Sequence, residues 1–161
     1  MLLALFVLGA SFQMLVKEYL TETTVSALRK DGEIIANLAA SYAIDGSLSS
    51  RDFLLNLDVA SQVSDSDTII CDAEGRIILC SDALFGCSHQ GLQVDRSYLK
   101  KVVQTGGDSA TGVIPDLYTD HRYFVMTPIV SDRSTGGMVI VSTPTAATSP
   151  SCDCFRICSL R

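Results

Sequence analysis

Two thiols and an imidazole fall within ten residues of each other, in CSDALFGCSH from Cys80 to His89. Groups of this kind at this density can form a disulfide, hold a metal ion or respond to pH. The spacing contains neither a paired CxxC nor an HxxxH, so it fits no zinc template, and no metal ligand is expected here. The sequence has six cysteines, of which Cys71, Cys80 and Cys87 precede the tail and Cys152, Cys154 and Cys158 lie in it. If residues 68–81 form a hairpin turning at Ala73-Glu74, Cys71 stands opposite Arg76 or Ile77, and Cys80 opposite Asp67 or Thr68. That separates the two sulfurs by more than the ~7 Å between Cα atoms that a bridge tolerates. Cys80 and Cys87 flank a short loop containing Gly86, which folds back easily, and their disulfide is the favoured pairing in an oxidising exterior. The competing reading is two thiols packed as small hydrophobes, the role assigned to Cys71.

A second group of side chains suits anion binding. In YTDHRYF, strand alternation puts Arg122, Phe124 and Met126 on one face and His121, Tyr123 and Val125 on the other. Tyr118, Arg122 and Tyr123 offer a guanidinium fork and phenolic hydroxyls, which suit a small carboxylate or similar anion. His89 is a further candidate for that site, although a lone loop histidine more often makes a surface hydrogen bond. The bland alternative keeps Arg122 at a sheet end, exposed or paired with Asp120. Asp116 and Asp120 read as solvated loop carboxylates. Ser88, His89 and Asp95 are too close in sequence to present triad geometry. Gly106-Gly107 lacks the lysine and helix of a phosphate loop. No catalytic residue and no cofactor are expected, and the chain does not read as an enzyme.

The elements that must position these groups follow from periodicity. Met1 to Val16 is uncharged and apolar apart from Ser11 and Gln13, and at ~1.5 Å per residue it is slightly shorter than a ~30 Å hydrocarbon core. A signal peptide would need a basic leader and a cleavage site. The run is expected to be an uncleaved, truncated transmembrane anchor over residues 1–19. From 20 to 46 an amphipathic stalk helix follows, its apolar stripe running Val16, Leu20, Ala27, Leu28, Ile35, Leu38, Ala39 and Tyr42. Gly32 is its weak point. The stripe buries either on its own domain or against a second copy, giving a homodimer.

Asp45-Gly46 breaks that helix, and Ser49 or Ser50 caps a second one over Arg51 to Val63. Strands are expected at Thr68–Cys71 and Arg76–Ser81, with Gly75 supplying the positive φ of their turn. A helix over Ser97–Gln104 comes next, then strands at Ala110–Ile114, Arg122–Pro128 and Met138–Thr143. Gly136-Gly137 is placed in the last turn. Five antiparallel-biased strands with inserted helices predict an α+β domain over residues 47–145. The tail from 146 to 161 changes abruptly to Ser, Cys and Arg, and reads as aberrant or unstructured.

Bulk composition narrows the function. The chain has 161 residues, a net charge of −6 and a pI near 4.7, which gives no electrostatic support for nucleic-acid binding. A hydrophobic content of 47% and mean hydropathy of +0.30 are high beside 19% charged residues, and the N-terminal run accounts for much of the excess.

The segments IICDAEGRIILCSD, GCSHQG, IPDLYTDHRYFVMTPI and GGMVIVSTP resemble the extracytoplasmic sensor domain of Gram-positive membrane histidine kinases, of the PAS-like, Cache-type group. The resemblance covers roughly residues 20–145. It implies a PAS-like five-stranded antiparallel sheet with a long N-terminal helix continuous with a transmembrane segment. It also implies a cell-membrane location with the sensor domain outside the cytoplasm, and a kinase core absent from this chain. The expected function is therefore signal input to a two-component sensor histidine kinase. The alternatives are a stand-alone membrane-anchored binding domain and a chemoreceptor-type input. A thiol oxidoreductase would need a reactive, exposed cysteine pair.

Overall fold

The computed structural model describes residues 2–44, 47–82, 86–131 and 134–145. The Asp45-Gly46 helix break and the tail from 146 to 161 lie outside the described residues. The first element is a single helix, α1, over Leu2–Ile44, 43 residues and so about 65 Å long. It meets the domain from about Thr21 onward. Leu28, Ile35, Ala36 and Ala39 are buried there, and Val25, Leu38 and Tyr42 are partly covered. Val16 and Leu20 of the expected stripe are exposed toward the free end of α1, and Ala27 is exposed although its neighbour Leu28 is buried. Among the described residues no helix is long and apolar enough to cross a membrane. The expected continuity with a transmembrane segment is therefore not supported: Ser11 and Gln13 interrupt the apolar run, and Lys17 and Glu18 follow it.

At Gly32 α1 packs closely on the sheet. A Cβ there would lie 2.8 Å from Thr127 Oγ1 and 3.6 Å from a Val141 methyl. The residue that weakens the isolated helix is the one that allows it to dock.

Helix α2 spans Arg51–Ser64, with Ser50 as its N-cap accepting from Phe53 N–H at 3.3 Å. Phe53, Leu57 and Ser61 recur every fourth residue and form its buried face. Ser61 donates to Thr68 Oγ1 at 3.1 Å, fastening α2 to the first strand, and the Tyr42 and Phe53 rings join α1 to α2 with centroids 5.0 Å apart.

The sheet has five strands: β1 Asp67–Asp72, β2 Ile77–Cys80, β3 Asp108–Gly112, β4 Arg122–Ser131 and β5 Ser134–Pro144. Their order is β2-β1-β5-β4-β3 and every pairing is antiparallel. The expected α+β class, long N-terminal helix and five-stranded antiparallel sheet are all present. The β1–β2 turn is built by Asp72, whose Oδ1 accepts from Glu74 N–H and Arg76 N–H at 3.0 and 2.8 Å, with Gly75 at φ 81°. A register shift between Ile70 and Cys71 moves Cys80 opposite Ile69, not opposite Asp67 or Thr68. Gly136 and Gly137 sit inside β5 instead of in the turn, since the β4–β5 ladder runs on to Ser131 and Ser134.

Strand alternation sorts the core into two layers. Ile70, Val125, Val139 and Val141 face α1 and α2. Ile69, Cys71, Phe124, Met126, Met138 and Ile140 face helix α3, Arg96–Thr105, and the flanking loops. The second face holds most of the chemically interesting residues.

Candidate functional site

The loop after β2 is laid along the outer edge of that short strand. Ile77 N–H donates to Leu92 O at 2.8 Å, Gly91 N–H to Ile77 O at 3.0 Å and Val94 N–H to Gly75 O at 2.8 Å. These bonds occupy backbone groups that an edge strand otherwise leaves open. The loop is also tied covalently, by a disulfide between Cys80 and Cys87 with Cα atoms 5.9 Å apart. The favoured pairing is thus the one formed, and Cys71 is left as a free, buried thiol. Closing a loop with a sequence separation of 7 stabilises the fold by about 2.5 kcal/mol in the chain-entropy model. Reduction is expected to lower the urea midpoint by a corresponding amount, and an unchanged midpoint would show that the loop is held without the bridge.

Burial pushes the Cys71 thiol up to about 12, with the neighbouring Asp72 carboxylate adding to the shift. Tyr118 is likewise raised to about 12, chiefly by burial. In both cases the folded-state value lies above the ordinary one, so the stabilisation is complete below it. It is lost as pH rises, from about 9 for the thiol and 10 for the phenol toward about 12. Cys71 is therefore expected to resist alkylation in the folded protein at pH 8 and to label only on unfolding, as peptide mass spectrometry would read. Rapid labelling under native conditions would contradict this burial.

Three of the four expected anion-binding residues come together, and Tyr123 does not join them. His89 and Tyr118 lie together, ring centroids 5.6 Å apart, and the Tyr118 ring covers the Arg122 guanidinium at 4.1 Å. Tyr123 points to the opposite face, where its hydroxyl meets Thr21 of α1 at 3.1 Å. It belongs to the helix contact and not to the Arg122 cluster, as the period of the strand requires.

Arg122 is only 5% exposed. Its Nε donates to Ser142 Oγ at 3.2 Å and its Nη1 to Asp120 at 3.3 Å, while Nη2 donates to Asp67 and to Ser142 O. The bland alternative identified Asp120 as a partner, but it took the residue to be exposed or simply paired. Asp67 and Ser142 lie 55 and 20 residues away from Arg122 in sequence, and no local signal points to them. The result is a polar clamp across the ends of β1, β5 and β4.

One cleft opens at this clamp and another at the start of α3. The first, of about 370 Å³, is lined by Asp58, Asp65, Asp67 and Asp82 as well as Arg122. With four carboxylates around one neutralised guanidinium, it repels anions. The other, about 630 Å³, lies between the start of α3 and the β3–β4 loop, lined by Val94, Arg96, Ser97, Tyr98, Ile114 and Pro115 among others. Asp95 caps α3 there, accepting from Ser97 N–H at 2.8 Å, and that bond holds its carboxyl below the usual range. Periodicity gave no hint of this cavity, because its walls come from segments about 20 residues apart.

Neither a protein-family model nor a curated protein sequence matches the chain. Solved structures do. The sensor domain of the Vibrio cholerae histidine kinase DctB superposes with a TM-score of 0.58 at 16% identity, over 85% of this chain and 58% of that one. The chain shares the fold of receptor sensor domains. The sensory domain of the Campylobacter jejuni chemoreceptor Tlp3 (CcmL) matches with a TM-score of 0.53 at 15% identity, covering 82% of this chain and 56% of that one. The chain thus spans a little over half the length of either solved domain. Both are sensory domains.

Proposed function

We propose that this chain is the extracytoplasmic signal-input domain of a membrane receptor, PAS-like and of the Cache type, with a Gram-positive two-component histidine kinase as its output. The observation that supports it most is the placement of α1. One helix packs along the sheet through Leu28, Ile35 and Ala39, and extends past it with Phe6, Leu8, Phe12, Met14 and Leu15 exposed. Those side chains are the part proposed to meet the membrane or a second copy of the helix. A shift of β4 and β5 reaches α1 directly, through Val125, Val141 and the Tyr123–Thr21 contact. A ligand on the opposite face biases that packing between two arrangements.

The proposed ligand is a small carboxylate or similar anion. His89, Tyr118 and Arg122 remain its nearest polar neighbours on the α3 side, but the donors of Arg122 are already used. A carboxylate at Arg122 would have to displace Asp120. The larger cavity has Arg96 and Ser97 at its wall, Tyr98 as an aromatic platform and two carboxylates, Asp95 and Asp116, against the four of the smaller cleft, and it is the seat proposed here. Titration calorimetry of the full chain against a panel of small mono- and dicarboxylates tests this. Binding that is lost in Arg96→Ala is the expected result, and no heat with any member would remove the carboxylate reading.

The second reading is a chemoreceptor-type input or a stand-alone anchored binding domain. The likeness to the chemoreceptor domain, nearly as extensive as that to the kinase domain, favours it. Fusing the chain ahead of a histidine kinase core and measuring autophosphorylation with and without ligand separates the two outputs.

A further inference from the structure

The fold brings together three metal-binding groups whose spacing in sequence fits no zinc template. One ligand atom each from Cys80, Cys87 and His89 lies within 4.8 Å of the others. We propose that, once the Cys80–Cys87 disulfide is reduced, these residues form a Zn²⁺ site, so that the β2 loop is closed either by a disulfide or by a metal. This inference is independent of the receptor reading.

Disulfide sulfurs have no charge to give a metal, whereas two thiolates and a neutral imidazole are a ligand set that Zn²⁺ favours. Around tetrahedral Zn²⁺, with Zn–S ~2.3 Å and Zn–N ~2.0 Å, ligand atoms stand ~3.3–3.8 Å apart. The His89 atom already lies within 4.8 Å of both sulfurs, and opening the S–S bond requires the sulfurs to separate by ~1.7 Å. Cys80 is anchored in β2 and 2% exposed, so Cys87 must make most of that movement. It follows Gly86 at φ 103° and precedes Gly91 at φ 86°, two positions where the backbone has the freedom to adjust. The buried side of the site is apolar, Cys80 packing with Ile69, Ile77 and Val94, which strengthens the attraction between cation and thiolates. Cys87 and His89 are half-exposed, leaving the fourth position to solvent.

The chemistry balances with a small thiol as reductant. Two thiol molecules supply two electrons and two protons to the disulfide and leave as their own disulfide. Zn²⁺ then displaces the two cysteine protons.

The test uses the full chain carrying Cys152→Ser, Cys154→Ser and Cys158→Ser, which removes the tail thiols. After reduction with a phosphine and anaerobic desalting, Co²⁺ is titrated as a spectroscopic probe and then displaced by Zn²⁺. One equivalent of Co²⁺ is expected to give a thiolate-to-cobalt charge-transfer band in the reduced protein and none in the oxidised protein. Cys87→Ser should reduce the band strongly, and His89→Ala should weaken binding by about 10- to 100-fold or more. Zn²⁺ should also raise the melting temperature of the reduced protein while leaving the oxidised protein unchanged. Neither variant residue is fully buried, and circular dichroism checks that both fold. A reduced protein without the band, a band that survives Cys87→Ser, or an affinity unmoved by His89→Ala overturns the proposal.

Discussion

Gly137→Ala is expected to destabilise the domain by about 4 kcal/mol, a loss in the range seen when a strained backbone position and a steric overlap coincide. Gly137 has φ 153°, and a Cβ built there would lie 2.0 Å from the carbonyl oxygen of Cys71. That oxygen belongs to β1, which pairs with β5 through Cys71–Met138 and Asp72–Gly137. No side chain can rotate out of the way, so relief requires the central ladder to part. Gly136→Ala is the matched control. Its Cβ would find nothing closer than Ile129 O at 3.9 Å, and a change below ~1 kcal/mol is expected. Urea unfolding of both variants decides the matter, and equal midpoints would show that the contact at Gly137 relaxes without cost.

Arg122→Met is expected to cost about 3 kcal/mol, because it removes a buried cation from hydrogen-bonded acceptors on β1, β5 and the loop before β4. The carboxylates left behind limit the loss, since the Asp67 side chain is 53% exposed and can recover water. Arg122→Lys keeps the charge but cannot reproduce the fork to Asp67, Asp120 and Ser142, nor the flat stack under Tyr118. It should fall between wild type and Arg122→Met, at about 1–2 kcal/mol. A double-mutant cycle with Asp67→Asn isolates the pair. If Arg122→Met is as stable as wild type, the clamp is a surface feature and the residue is available to bind an anion after all.

The contrast between Arg122 and Tyr123 bears on the receptor reading. Arg122 resembles an anion site on chemical grounds, yet its geometry makes it a structural tie between β1, β4 and β5. The same strand carries Tyr123 to the α1 side. Consecutive residues of one strand therefore serve the two faces through which an input would have to act.

The local rules of the chain were legible without coordinates. Ser50 before Arg51, Asp72 to Gly75, and Gly106 mark ends and turns whose backbone needs depend on a few neighbouring residues. The helices and the strand pairs they separate lie near where those rules place them, and the short loop between Cys80 and Cys87 made their bridge readable. Tertiary packing decided the rest. The bulge after Ile70, the inclusion of Gly136 and Gly137 in β5, and the clamp around Arg122 depend on partners distant in sequence, Asp67 standing 55 residues from Arg122. So does the meaning of Gly32, a weak helical residue by propensity and a docking point by contact with Thr127. Helical spacing likewise drew one continuous stripe along α1, but only the sheet could determine where that stripe ceases to be buried. Caps and turns are set by short-range hydrogen bonds and backbone angles, whereas contacts between distant segments exist only once the sheet has brought those segments together.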